Sequence, residues 1–149
     1  MSTMEGWDKA NTTLTAIATE LAAKTEPTDA QTVMLSTASI ADASGVALTP
    51  KFAVIDHASS GDNTIVAAVT SKKIRVTSLW LVSAGTVNVR FESGASGTAL
   101  TGQANLVANS GFVLGFNPVG HFETAAGVLL NLELSGNVSV DGSLTYVEV

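Results

Sequence analysis

The chain of 149 residues contains no cysteine. That excludes a disulfide framework, a thiol nucleophile and thiolate metal sites, and it is neutral about redox compartment. Charge is also scarce. Asp, Glu, Lys and Arg make up 13% of the residues, against ~25% in an ordinary soluble domain. A surface with so few charges is poorly protected against association, so much of it is expected to be covered by other chains. Lys and Arg total seven against thirteen acids, for a net charge of −6. They do not cluster beyond Lys72, Lys73 and Arg75. A duplex-binding surface needs a basic stripe, so no nucleic acid is expected as a partner. No run approaches the 18 or more apolar residues of a membrane span, so no membrane is expected either. Residues 1–10, MSTMEGWDKA, have no basic region followed by an apolar stretch, so no secretory leader is expected. The sequons at Asn11 and Asn137 are then read as chance.

What is present divides the chain at about residue 50. Ala10, Leu14, Ile17 and Leu21 are spaced 4, 3, 4 and predict one stripe of a short helix within residues 1–26. Asp8 is placed to cap its first turn, Lys24 sits near its end and Pro27 stops it. Two heptads rich in Thr make a marginal helix that needs a partner: its own sandwich, a sister chain or a foreign surface. Residues 27–50 are small, without sustained period and charged only at Asp29 and Asp42, as in an extended arm or linker with one strand at Gln31–Leu35. Six of the thirteen acids and two of the seven bases precede Pro50, so the N-terminal part is acidic. The surface expected to meet a partner is Trp7, the helix stripe Leu14, Ile17 and Leu21, and Val33 and Leu35 of the short strand. Trp7 is equally readable as packing back on its own domain.

From Lys51 the pattern becomes short β-branched runs between turn residues, the signature of an antiparallel sandwich or barrel. Strands are expected at 52–57, 64–69, 73–83, 86–92, 104–108, 112–116, 121–124, 128–134, 138–140 and 143–149. Turns are expected at Ser60–Asn63, Ala84-Gly85, Ser93–Gly97, Asn109–Gly111, Ser135–Asn137 and Asp141-Gly142, the last as a two-residue hairpin. Val87, Val89 and Phe91 alternate with Asn88, Arg90 and Glu92. Val128, Leu130, Leu132 and Leu134 alternate with Leu129, Asn131 and Glu133. Period two with one polar face means antiparallel sheets with a single inner face each. The fold class is therefore mainly β, a jelly-roll-like or immunoglobulin-like sandwich over 51–149, preceded by the helix and arm of 1–50.

Chemistry-bearing constellations are sparse. His121 and Glu123 at i, i+2 would share a strand face and could begin a metal site, but two isolated histidines, His57 and His121, form no ligand motif. Gly94-Ala95-Ser96-Gly97 lacks the spacing of a nucleophile elbow. The glycines of 94–102 precede no helix that could cradle phosphate. Paired carboxylates would have no aromatic subsites around them. No catalytic residue, metal or cofactor is expected. Trp80 reads either as core or subunit-interface packing or as a platform for a sugar ring.

The stretches Thr64–Val69, Lys73–Val82 and Val87–Gly94 resemble a module of tailed-bacteriophage virion proteins. So do Ala99–Gly102, Gly111–Leu114, Asn117-Pro118, Gly127–Leu134 and Val140–Val149. The resemblance covers residues 51–149 and rests on strands and glycine turns. Residues 1–50 have no counterpart in it. It implies a jelly roll of the kind found on capsid decoration (cement) proteins, head fibres and tail appendages. For a decoration protein it implies a homotrimer bound to the major capsid protein on the virion surface, after synthesis in the host cytoplasm. An arm often makes the shell contact in such proteins. The alternative is a carbohydrate- or receptor-binding module of a head fibre or tail appendage.

Overall fold

The computed structural model describes residues 40–149, except residue 43. The expected helix and the strand at Gln31–Leu35 lie outside the described residues, as do Trp7, Leu14, Ile17, Leu21, Val33 and Leu35. Within residues 40–50 the arm is not extended. Asp42 accepts hydrogen bonds from the amides of Ser44 and Val46 through Oδ1, and Ala41 bridges Ala47. An aspartate that bonds amides two and four residues on competes with extended backbone, and Gly45 supplies the positive φ that closes the turn.

Ten strands follow: β1 Lys51–His57, β2 Gly61–Val66, β3 Ile74–Ser83, β4 Val87–Ser93, β5 Thr98–Ala99, β6 Ala104–Leu106, β7 Gly111–Leu114, β8 Phe122–Glu123, β9 Leu130–Leu134 and β10 Val140–Glu148. Among the described residues there is no helix. All pairings are antiparallel and fall into two five-stranded sheets. The first runs β1-β10-β3-β7, with β8 also on β3; the second runs β2-β9-β4-β5, with β6 also on β4. Each of the links β1–β2, β2–β3 and β3–β4 passes from one sheet to the other. The inner faces share one core. Ile55, Leu79, Leu81 and Leu144 come from the first sheet; Val89, Phe91, Leu130, Leu132 and Leu134 come from the second. The Phe91 and Phe122 rings lie 5.1 Å apart and join the two layers.

The alternation in β4 and β9 is as the period predicts: Val87, Val89 and Phe91, then Leu130, Leu132 and Leu134, are all buried. The outer-face residues Glu92 and Asn131 are buried as well. In β3 the alternation changes phase. Ile74 and Val76 point inward, then Leu79 and Leu81. Thr145 pairs with Ser78 but Tyr146 pairs with Val76, so Thr77 is an extra residue, a bulge whose hydroxyl donates to the Thr145 carbonyl at 3.1 Å.

Two turn expectations are corrected. Asp141-Gly142 is no hairpin; it lies inside β10, paired with Val82 and Leu81 on one side and with Asp56 and Ile55 on the other. The two strands expected on either side of it are therefore one. A Cβ on Gly142 would lie 2.1 Å from the Trp80 carbonyl oxygen, so the glycine permits a close strand approach instead of a turn. Gly61, Asp62 and Asn63 belong to β2 rather than to a turn, because the Asn63 amide group donates back to the Ser59 and Gly61 carbonyls and holds the reversal over 58–60.

Candidate functional site: an uncharged sheet face

The outward residues of the first sheet form registered rows. Val54, Ser143, Trp80 and Val113 stand side by side across β1, β10, β3 and β7. The next row holds Phe52, Thr145 and Ser78, with Phe116 beyond the end of β7. Phe52 is 79% exposed, Val113 74%, Val54 71%, Phe116 61% and Trp80 48%. These are five of the eight large apolar side chains exposed among the described residues, gathered on one face. No charged side chain interrupts the two rows. The nearest charges in register are Asp56 and Asp141, neighbours in the row beyond.

The small side chains of Ser78, Ser143 and Thr145 leave a shallow groove of about 310 Å³ beside Trp80, walled by Val113 and Phe116. Phe52 and Val54 stand along its far side on β1 as a ridge. Among the described residues none of these three hydroxyls has a protein hydrogen-bond partner. The face can therefore bury apolar surface and offer a few hydroxyls; it holds no group able to move a proton near neutral pH.

The outer face of the second sheet is the opposite in character. Asp62, Arg90, Glu92, Asn131 and Glu133 form one polar network there. Arg90 contacts Glu92 Oε1 at 2.6 Å and Glu133 Oε2 at 2.5 Å. Asn131 Nδ2 donates to Asp62 Oδ1 at 2.6 Å and to Glu92 Oε2 at 3.2 Å. The Ser96 hydroxyl and amide donate to Asp62 at 2.7 and 2.8 Å, which holds its carboxyl below the ordinary range. These bonds fasten the turn after β4 onto the sheet, and the turn in part explains why Glu92 and Asn131 are buried.

A second cleft, of about 330 Å³, is lined by Asp42, Ser71, Lys73, Arg75, Ala126 and Val149. Its cations are already engaged: Lys73 and Arg75 bond the two oxygens of Glu123 at 2.7 and 2.9 Å. The Lys73 and Arg75 hydrogen bonds hold the Glu123 carboxyl below its ordinary value despite partial burial. His121 does not join Glu123 on one strand face. It precedes β8, and its Nε2 lies 2.7 Å from the Gly115 carbonyl. Among the described residues no three His, Cys, Asp or Glu side chains are grouped to hold a metal ion.

Among the described residues singled out from sequence, Trp80 lies on the apolar face. Phe52, Val54, Val113 and Phe116 were missed. Their signal was present: Phe52-Ala53-Val54-Ile55 and Leu79-Trp80-Leu81-Val82 are apolar on both faces of a strand whose sheet needs only one. Comparison with protein-family models, with curated proteins and with solved structures finds no match.

Proposed function

We propose that the chain is a non-enzymatic structural protein of a virion, a capsid decoration or cement protein whose sandwich is a jelly roll. The fold part of this reading is supported by the strand order. An eight-stranded jelly roll has two four-stranded sheets, one holding strands 1, 8, 3 and 6 and the other strands 2, 7, 4 and 5. The order β1-β10-β3-β7 against β2-β9-β4-β5 matches it if β5 with β6, and β7 with β8, are each one strand broken in two.

The observation that carries the functional part is the uncharged face of Phe52, Val54, Trp80, Val113 and Phe116. Contiguous apolar patches of this extent mark interaction surfaces. The partners are the major capsid protein and further copies of this chain as a homotrimer, in keeping with the resemblance to phage virion proteins. The mechanism is multivalent. Each copy bridges neighbouring capsomers through many weak contacts, and the contacts add because the assembly holds them at high effective concentration. Binding only the assembled shell then raises the temperature at which it comes apart. Particles with and without the protein, heated side by side, test this directly. The decorated particles are expected to disrupt at the higher temperature; equal temperatures would overturn the stabilising role.

A second reading is favoured by one specific observation: Trp80 is half exposed in an uncharged groove beside three hydroxyls that have no hydrogen-bond partner among the described residues. An indole face with flanking hydroxyls suits a neutral sugar ring, as on a receptor-binding module of a head fibre or tail appendage. A glycan array with a strong hit that Trp80→Ala abolishes would favour this reading over the first.

A further inference from the structure

We infer that the apolar outer face of the first sheet is the contact between copies of this chain, with the β1 ridge of one copy seated in the β3–β7 groove of the next. The inference rests on the assembly reading above and names the surface that serves it.

Three observations point to a second copy as the occupant. The first is shape. Ridge and groove lie side by side on one face, so Phe52 and Val54 stand beside the groove of their own chain and cannot fill it. A neighbouring copy presents the same ridge and can. Such a contact is satisfied reciprocally across a two-fold axis or head to tail around a closed ring. The second is area. With ~150–250 Å² for a whole aromatic side chain, the five exposed side chains offer roughly 600 Å² per copy. Standard interfaces take about 800 Å² from each partner, so these five side chains supply most of one partner's share. The third is charge. The two rows hold none, which disfavours a nucleic acid or an anionic lipid surface. The acids Asp56 and Asp141 lie at one end. Near the other end, where β1 and β3 begin, Lys51 is paired with Glu148 and Lys73 and Arg75 with Glu123, so these bases are already engaged within the chain.

The test is the mass of the full chain in solution by light scattering, with Phe52→Asp and Val113→Asp as variants and Asn105→Asp as the control. Phe52 and Val113 are exposed, so both variants are expected to fold, with an unchanged denaturant midpoint at low concentration. Asn105 is exposed on the second sheet. The wild type and Asn105→Asp are expected at two or more times the single-chain 15.2 kDa, and both face variants at one. A monomeric wild type overturns the inference, as does a folded Phe52→Asp chain that keeps the wild-type mass. A monomeric wild type that binds heads through this face, and loses them with Phe52→Asp, assigns the face to the capsid and also overturns it. An oligomer that loses mass in the variants but never protects heads leaves the self-contact standing and overturns the decoration role alone.

Discussion

At Gly142 a single hydrogen atom decides whether β10 lies against β3. A methyl group there would sit 2.1 Å from the Trp80 carbonyl oxygen and 2.8 Å from the Leu81 Cα. Backbone cannot swing aside as a flexible side chain does. Gly142→Ala is expected to cost about 1–3 kcal/mol, read as a lower urea midpoint with an unchanged slope. Phe91 is the complementary case, a large side chain that is 1% exposed and stacked near Phe122. Phe91→Ala leaves a cavity between the sheets and is expected to cost about 3–5 kcal/mol by the same measurement. Glu92 is buried and relies on Arg90 and Asn131. Arg90→Met strands that carboxylate and is expected to lower the midpoint, whereas Arg90→Met with Glu92→Leu is expected to regain most of the loss. Residue identity was read correctly from the sequence in Phe91, where period two is unbroken. It was misread at Asp141-Gly142, because Asp-Gly has the composition of a hairpin turn and only the neighbouring strand reveals why the glycine is there.

The strands illustrate how far periodicity reaches. β4 and β9 alternate cleanly and their inward sets were legible. β3 was legible as a strand but its phase was not, because the Thr77 bulge shifts the inward residues by one, and a bulge is set by the partner strand rather than by local composition. The burial of Glu92 and Asn131 was illegible for a similar reason: the turn that helps cover them is tied down by Asp62, which is far from both in sequence. The short β8 is held to β3 by the Glu123 bonds to Lys73 and Arg75. These keep the folded-state carboxyl below its ordinary 4.5. A lowered carboxylate contributes stability that is fully present above the unfolded-state value and lost as pH falls through the folded-state value. Wild-type stability is therefore expected to decline from about pH 5 downward. Glu123→Gln is expected to be less stable at neutral pH and to show a flatter decline. Urea midpoints across that pH range check it; parallel curves would contradict it.

On the scale of the molecule, the two sheets meet water differently. The second sheet covers its outer face with a bonded network of charges, and the first leaves Phe52, Val54, Trp80, Val113 and Phe116 bare. The shortage of charge in the whole sequence already pointed to covered surface. It did not say where, and the helix stripe of Leu14, Ile17 and Leu21 drew the expectation to the N-terminal part. The bare face is assembled from β1, β3 and β7, and the segment after β7, so no local window of the sequence contains it. The account's central claim is that this face is covered by another copy. Trp80 at its centre reports on that directly, once Trp7→Phe leaves it the sole tryptophan. Its emission is predicted to be blue-shifted and shielded from acrylamide at high protein concentration, then to move red and become quenchable on dilution or with Phe52→Asp. Emission that stays at the same solvent-exposed position at every concentration, in both chains, would contradict the claim.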